Sequence, residues 1–275
     1  MIPRIVHQIW WQGVDAIPPR YRRLRDSWMR HHPGWRFECW DEVKSRALMR
    51  QCYAGFYDMF DAYPLDIQRI DSIRYFILNA FGGVYLDMDM ECLRPIDDLI
   101  ENKTFLLSQT LIYNNAVMGS SAALPFWTIL FEQLRSYRAP AGLWEKSRAQ
   151  YMAESCEPGL LNRTVRAAGL AKEEGVQVCP GFVFEPGVPA EWNGTIRCSN
   201  ERSGSYAIHH MDMNWLSPLH RVTSHVTARI LKLFWWARLA RATSPWLPKK
   251  GRTTTDESAS DGDWVVSSLL DYANA

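Results

Sequence analysis

The stretch FGGVYLDMDME at residues 81–91 constrains the possible folds more than any other part of this sequence. Upstream of it, residues 65–81 place apolar side chains at helical spacing, and the double glycine that follows would end that helix. Residues 84–87 then form a short apolar run of the kind found in buried strands. A helix that leads directly into a buried strand is typical of α/β proteins.

Strands and helices alternate through the N-terminal third of the chain. We predict strands at residues 3–11 and 35–40, a helix from residue 18 to 29, and a helix near residues 42–52 with Asp41 as its N-cap. Residues 53–63 are aromatic and fit either state. Weaker patterns predict strands at residues 105–108, 116–118, 176–179 and 206–209, and helices at residues 126–137 and 159–168. This order predicts an α/β fold with a mostly parallel central sheet flanked by helices.

The overall composition excludes several classes of protein. The 275 residues are 47% hydrophobic, which is enough for one large core, and the formal net charge of +1 gives no strong field for nucleic acid. None of the six cysteines forms a C-x-x-C pair, which argues against a zinc ribbon or a thioredoxin-type motif. The sequence opens without a basic-then-apolar leader, and no segment reaches ~20 uninterrupted apolar residues. We therefore expect a cytoplasmic catalytic part.

Two acidic residues, Asp87 and Asp89, follow the buried strand. If the strand continues, they share one face with Tyr85, because residues two apart in a strand point the same way. Clustered carboxylates suit a hard divalent cation that also holds phosphate oxygens, which indicates an enzyme that handles a sugar nucleotide. The alternative is a pair of capping or turn aspartates. The position at the carboxyl end of a strand, where open α/β sheets bind ligands, favours the cation site.

A second group of polar residues lies on the helix that precedes this strand. Asp71, Arg74 and Tyr75 occupy one side of the helix, because residues three and four apart are neighbours there. One interpretation is an exposed ion pair worth well under ~1 kcal/mol. The other is a clamp in which Arg74 and Asp71 hydrogen-bond to phosphate or sugar oxygens.

Two further features of the sequence allow two interpretations each. Trp10, at the end of the first predicted strand, is either a core residue or a platform that stacks on a nucleotide base. His209 and His210 follow a late predicted strand. They are either one buried and one exposed histidine, or one of them is a metal ligand.

Several segments together resemble glycosyltransferase family 32, the DXD-motif sugar-transferring family, and point to a bacterial polysaccharide or capsule-type member. They are IPRIVHQIW at residues 2–10, SWMRHHPGWRFECWDE at 27–42, DSIRY at 71–75, FGGVYLDMDMECLRPIDDL at 81–99 and YAIHHMDMNW at 206–215. The resemblance implies a GT-A nucleotide-sugar-binding fold with a mixed, mostly parallel sheet. It also implies a UDP- or GDP-linked donor, Mn²⁺ (or Mg²⁺) and retention of the anomeric configuration.

The resemblance also assigns roles to residues. The residues implied to bind the metal are Asp89, Asp87 and His209. The residues implied to bind the nucleotide sugar are Trp10, Asp71, Arg74, Tyr75 and Asp87. The catalytic set is then Asp87, Asp89 and Arg74, and no nucleophile is named. Asn115 and residues 157–161 match weaker family positions. Ile70 stands where the family has a small serine, and the charged pair beside it is kept.

The implied reaction moves a hexose to the hydroxyl of a glycan, lipid-linked or polysaccharide acceptor. Alternatives are an effector-type glycosyltransferase that modifies a protein, and a non-catalytic metal-dependent carbohydrate-binding protein. A glycoside hydrolase also uses two carboxylates, but it needs them on opposite sides of a bond, ~5–9 Å apart.

The C-terminal region departs from the catalytic pattern. We predict a glycosyltransferase domain over residues 1–225, a basic and aromatic helical segment over 226–250, and a disordered tail over 251–275. Three tryptophans and two lysines there suit contact with a membrane surface, such as the inner face of the cell membrane, rather than a span: Trp235, Trp236, Trp246, Lys249 and Lys250. The alternative is a helix packed on the catalytic domain.

Overall fold

The computed structural model describes residues 1–136, 156, 158–186, 190–192, 195–197 and 204–212. Its strands, in chain order, are β1 (Ile5–Ile9), β2 (Arg36–Trp40), β3 (Gly83–Leu86), β4 (Met90–Cys92), β5 (Phe105–Gln109), β6 (Tyr113–Ser120), β7 (Val176–Pro180), β8 (Ala190–Trp192), β9 (Thr195–Arg197) and β10 (Ala207–His209). Its helices are α1 (Pro19–His31), α2 (Glu42–Cys52), α3 (Ala54–Asp61), α4 (Asp66–Phe81), α5 (Asp97–Ile100), α6 (Pro125–Ser136) and α7 (Pro158–Ala168). The predicted α/β fold class is confirmed.

A six-stranded sheet in the order β2-β1-β3-β6-β5-β7 forms the centre of the molecule. The pairs β1–β2, β1–β3 and β5–β7 are parallel, whereas β6 runs antiparallel to both β3 and β5. The sheet is therefore mixed and mostly parallel, as predicted. The strand β6 reverses direction because only residues 110–112 join it to β5, and a parallel pairing needs a much longer crossover.

Helices cover both faces of this sheet. On one face, the buried Trp28 of α1 belongs to the core cluster that includes Val84 and Leu86 of β3. Its indole nitrogen donates a hydrogen bond to the carbonyl oxygen of Met90 at 2.9 Å. Tyr85 alternates with these residues, and α4 packs over it on the opposite face. Strand β3, which ends directly before Asp87, is thus covered on both faces.

The connection from α4 to β3 is fixed by close backbone contacts. Gly83 has φ +100°, and a Cβ atom there would lie 2.6 Å from the carbonyl oxygen of Ile5. His7 lies beside it, with Nε2 2.8 Å from the carbonyl oxygen of Gly82 and Nδ1 accepting from the indole nitrogen of Trp40 at 3.1 Å. Burial lowers the pKa of His7 to about 4, so the ring is neutral and Nε2 is the donor to Gly82. These contacts fix the start of β3 against β1.

The local predictions agree with the structure in most of the first ninety residues. The helix α2 has the predicted bounds, and the side chain of Asp41 caps it by accepting from the backbone nitrogen of Lys44 at 2.7 Å. The aromatic segment that fitted either state forms α3.

The strand predicted at residues 84–87 ends one residue earlier, at Leu86, so β3 does not continue through Asp87 and Asp89. The backbone nitrogen of Met90 donates to the carbonyl oxygen of Asp87 at 3.2 Å, which closes a turn between β3 and β4. Tyr85 is buried rather than on an open face, and its hydroxyl donates to a carboxylate oxygen of Asp87 at 2.7 Å.

Residues Met1–Met211 form one compact unit. The predicted boundary at residue 225, the basic segment 226–250 and the tail 251–275 all lie outside the described residues. Among the helices described, none combines the length and the apolar character that crossing a membrane requires.

Candidate metal centre

Asp87 and Asp89 lie in the turn between β3 and β4, and the backbone around them is well anchored. The backbone nitrogen of Asp87 donates to the carbonyl oxygen of Ala116 on β6 at 2.9 Å. The carbonyl oxygen of Asp89 accepts from the backbone nitrogen of His210 at 3.1 Å. The acidic pair is therefore anchored at the carboxyl end of β3, by β6 on one side and by the residue that follows β10 on the other.

Strand pairing brings His209 to this pair from far along the chain. Strand β10 runs antiparallel to β4, with His209 opposite Met90. One ligand atom each from Asp87, Asp89 and His209 lies within 4.8 Å of the others, and all three residues are partly buried. Two carboxylate oxygens and an imidazole nitrogen are donors that manganese accepts, so these residues fit a divalent cation.

The adjacent His210 has a different environment. Its Nε2 lies 3.0 Å from Oε2 of Glu91, in a partly exposed pair beside the cluster. Of the two histidines, the structure therefore brings His209 to the acidic pair. Glu91 lies on β4 and faces His210 rather than the cluster.

Arg74 forms the buried end of the site. Arg74 and Asp71 are each only 3% exposed, so the interpretation as an exposed ion pair is wrong. The Nη2 atom of Arg74 donates to a carboxylate oxygen of Asp71. Its Nη1 atom donates to the carbonyl oxygen of Asn115 at 3.0 Å and lies 3.3 Å from a carboxylate oxygen of Asp87. The guanidinium also lies over the ring of Tyr85, 4.6 Å from its centroid. Arg74 thus links the α4 pair to the acidic turn.

Burial and charge together set the protonation of these groups. Burial raises the pKa of Asp87, and the charge of Arg74 partly offsets this effect. Burial opposes the charge of Arg74, but the acidic groups around it, Tyr85, Asp71 and Asp87, keep its pKa well above the usual value. The guanidinium is therefore a fixed positive charge beside the acidic turn.

The pKa of His209 is also set by burial acting against nearby charges. Burial disfavours its charged form, but hydrogen bonds to Asp89 and Glu185 outweigh burial and raise its pKa well above the usual value. A position where two carboxylates stabilise positive charge so strongly is also suited to a metal cation.

The predicted nucleotide-sugar residues Tyr75 and Trp10 occupy different surroundings. Tyr75 is fully buried, and its hydroxyl donates to the carbonyl oxygen of Cys156 at 2.9 Å and accepts from the side chain of Asn115 at 3.3 Å. Trp10 is partly exposed and packs in a small cluster with Tyr21 and Met88. Because Met88 lies between the two aspartates, Trp10 is close to the acidic turn.

The sequence did not point to Glu185, which the structure places directly behind His209. Glu185 is 3% exposed, and one of its oxygens accepts from Nδ1 of His209 at 2.7 Å and from the side chain of Asn114. It follows a short 3₁₀ turn at Gly181–Val183, after β7. No spacing in the sequence connects this turn with residues 87–89, and only the fold brings them together.

Comparison with known families finds a match over part of the chain. A family model described as a glycosyltransferase sugar-binding region containing a DXD motif matches residues 18–106, which include Asp71, Arg74, Asp87 and Asp89. This match supports the family resemblance over that part of the chain.

Curated relatives are similar over about half of this chain. An inositol phosphoceramide mannosyltransferase 1 of Schizosaccharomyces pombe is 38% identical over 46% of this chain and 40% of its own length. The mannosyl phosphorylinositol ceramide synthase SUR1 of Saccharomyces cerevisiae is 34% identical over 50% of this chain and 36% of its own. An uncharacterized glycosyltransferase, L373, of Acanthamoeba polyphaga mimivirus is 33% identical over 49% of this chain and 56% of its own. The chain therefore spans well under two thirds of the length of these relatives.

Comparison with solved structures gives weak similarity to two glycosyltransferases at low sequence identity. The PaToxG glycosyltransferase gives a TM-score of 0.42 at 11% identity, over 62% of this chain and 71% of that one. A glycosyltransferase involved in the glycosylation of the major capsid of PBCV-1 gives 0.38 at 14% identity, over 78% of this chain and 97% of that one.

Proposed function

We propose that this chain is a metal-dependent glycosyltransferase that moves a hexose from a nucleotide sugar to an acceptor hydroxyl. The observation that carries the proposal is the convergence of Asp87, Asp89 and His209 beside the buried pair Asp71–Arg74. The family match over residues 18–106 and the glycosyltransferase names of the relatives support the same activity.

The residues of the site have distinct roles in this proposal. Asp87, Asp89 and His209 would hold Mn²⁺ or Mg²⁺, which supplies positive charge against the departing diphosphate when it is bound. Asp71 accepts hydrogen bonds from sugar hydroxyls. Arg74, a fixed charge among acidic neighbours, orients Asp87 and the donor. Trp10 stacks on the base, and Tyr75 acts indirectly, by holding Asn115 beside Arg74.

The proposed reaction exchanges one bond at the anomeric carbon for another. The bond from that carbon to the phosphate oxygen breaks, and the acceptor oxygen bonds to the same face, which retains the configuration. The acceptor proton passes to the leaving diphosphate. No side chain of this chain is assigned as a nucleophile.

The relatives suggest which donor and acceptor to test first. Their names include mannosyltransferases that act on inositol phosphoceramide. We therefore propose GDP-linked mannose as the first donor to test and UDP-hexoses as the second. The proposed acceptor is the hydroxyl of a lipid-linked or free glycan. A bacterial polysaccharide or capsule acceptor belongs to the same proposal.

The two aspartates alone also fit a glycoside hydrolase, but their surroundings favour a cation. A hydrolase needs its carboxyl groups on either side of the bond that it cleaves. Here Asp87 and Asp89 share one cluster with an imidazole. Activity that survives a chelator would favour the hydrolase.

The decisive experiment measures hydrolysis and transfer of GDP-mannose and UDP-hexoses by the purified full chain with added Mn²⁺. We expect turnover that a chelator abolishes and that Asp89→Ala reduces at least a hundredfold, the scale typical of a lost electrostatic contact in catalysis. Asp66→Ala is the matched control, because Asp66 is an exposed acid at the start of α4 and pairs only with Arg69 in the described contacts. Equal activity of wild type and Asp89→Ala would reject the proposal.

We also propose that the enzyme works in the cytoplasm, at the inner face of the cell membrane. The support is the composition of residues 226–250, where large aromatic residues are mixed with basic ones. A lipid-linked acceptor would bring substrate and enzyme to the same surface.

A further inference from the structure

We infer that Glu185 is a positioning residue of the metal centre, which holds the imidazole of His209 so that Nε2 faces the cation. The inference rests on the metal-dependent activity proposed above and adds a residue that neither the sequence pattern nor the family match identifies.

A chain of hydrogen bonds fixes the orientation of each group. The side-chain oxygen of Asn114 accepts from the backbone nitrogen of Ala116 at 2.7 Å, so its amide nitrogen is the end that points to Glu185. That nitrogen donates to Oε1 of Glu185, and the same oxygen accepts from Nδ1 of His209 at 2.7 Å. The backbone of β6 therefore fixes, through the side chains of Asn114 and Glu185, the orientation of the His209 ring.

The consequence for His209 is that its other ring nitrogen faces the acidic turn. With Nδ1 donating to Glu185, Nε2 lies 3.3 Å from Oδ1 of Asp89, and a bound cation would take the place of the proton on Nε2. Histidine ligands in metalloproteins commonly donate their second ring nitrogen to a carboxylate in this way, which fixes both tautomer and ring orientation.

The backbone contributes to the same arrangement. The backbone nitrogen of His209 donates to the carbonyl oxygen of Phe184 at 3.1 Å, and that of Glu185 donates to Gly181 at 2.7 Å. Glu185 and His209 therefore sit on segments that are tied together independently of their side chains. Replacing the carboxylate removes the orienting bond while these backbone contacts stay.

A purely structural role for Glu185 predicts a different result. A buried carboxylate with two partners stabilises the fold, so its loss would lower stability without acting through His209. The two roles are separated by asking whether the effect of Glu185 on metal affinity depends on His209.

The experiment measures Mn²⁺ affinity of the full chain by calorimetry, in the absence of nucleotide. It compares wild type, Glu185→Gln, His209→Ala and the double variant. We expect Glu185→Gln to weaken Mn²⁺ binding about 10- to 100-fold, the usual effect of losing an orienting partner. We expect no further loss when Glu185→Gln is added to His209→Ala. Val183→Ala is the packing control, since Val183 is a buried core residue of the preceding turn, and it should keep wild-type affinity.

Three outcomes overturn the inference: unchanged affinity in Glu185→Gln, an equal loss in the His209→Ala background, or no Mn²⁺ binding by wild type. If Glu185→Gln does not fold, Asn114→Ala gives the same test, with a smaller loss that also vanishes in the His209→Ala background. Turnover of nucleotide sugar by wild type is measured in parallel. Turnover with unchanged Mn²⁺ affinity in Glu185→Gln overturns only this inference. Coupled metal binding without turnover supports the role of Glu185 and overturns the transferase.

Discussion

At the scale of single residues, the site depends on charges that the fold removes from water. Asp71 and Arg74 are almost fully buried, and Arg74 also faces Asp87 from a different element. Helical spacing in the sequence could place Asp71 and Arg74 on one side of α4. It could not show that this side faces β3 and β6, because that depends on contacts far apart along the chain. Removing one member of such a group leaves an uncompensated buried charge, which is strongly unfavourable.

The buried His7 gives a prediction for stability against pH. Its pKa is about 4 in the folded chain and near 6.5 when unfolded. Between these values only the unfolded chain binds the proton, so the free energy of unfolding falls as pH is lowered from 6.5 towards 4. The contribution of His7 is about 3 kcal/mol over that range. Urea unfolding at pH 7 and pH 4 should show this loss in wild type.

The variant His7→Gln isolates that contribution, since an amide can donate to Gly82 and accept from Trp40 without titrating. It should be less stable than wild type at pH 7 and show a smaller loss on acidification. Burial also lowers the pKa of His32, so some pH dependence remains. An unchanged slope in His7→Gln would contradict the assignment.

At the scale of secondary-structure elements, sequence patterns predict most of the pieces but not all of their ends. The caps and spacing of α2 and α4 were sufficient to place them within a residue. The predicted strand ran to Asp87 and its alternation could extend to Asp89, whereas β3 ends at Leu86 and a turn begins at Asp87. Alternation alone cannot distinguish a continuing strand from a turn whose side chains happen to alternate.

The same limit applies to the site. The acidic turn and the α4 pair were predictable because each is a local motif, and His209 because it resembles a family position. Glu185 was not, since its partners Asn114 and His209 lie on β6 and β10. Its role depends on three elements meeting in space.

The junction between α4 and β3 gives a prediction at this scale. Gly83→Ala would place a methyl group 2.6 Å from the carbonyl oxygen of Ile5 at φ +100°. Gly169→Ala is the matched control, because Gly169 also has a positive φ of +68° but nothing lies within 4 Å of the added atom. The control should lose about 1 kcal/mol of stability, and Gly83→Ala roughly 3 kcal/mol or more. Chemical denaturation measures both, and equal losses would show that crowding at Gly83 is unimportant.

At the scale of the whole molecule, the central sheet follows from the order of its elements. The alternation in the first part of the chain produces the parallel core β2-β1-β3, and the short β5–β6 loop introduces the antiparallel strand. Residues Met1–Met211 form one compact unit around this sheet. The membrane contact proposed for residues 226–250 remains a prediction from sequence.

That contact is testable with the full-length protein. Trp235→Ala combined with Trp236→Ala should reduce co-sedimentation with anionic liposomes by tenfold or more, because burial of each aromatic side chain in the interface is worth about 1–3 kcal/mol. The control Trp192→Ala removes a tryptophan on β8, outside the segment, and should bind vesicles like wild type. Unchanged binding by the double variant would end the membrane proposal.

The pairing of β10 with β4 also has a consequence for biosynthesis. Both aspartates leave the ribosome more than a hundred residues before His209 does. A nascent chain with its acidic turn already formed still lacks the imidazole that completes the cluster. If the proposed site binds its cation through all three residues, capture is expected only after His209 has emerged, and cation binding would then report that β10 has docked on β4.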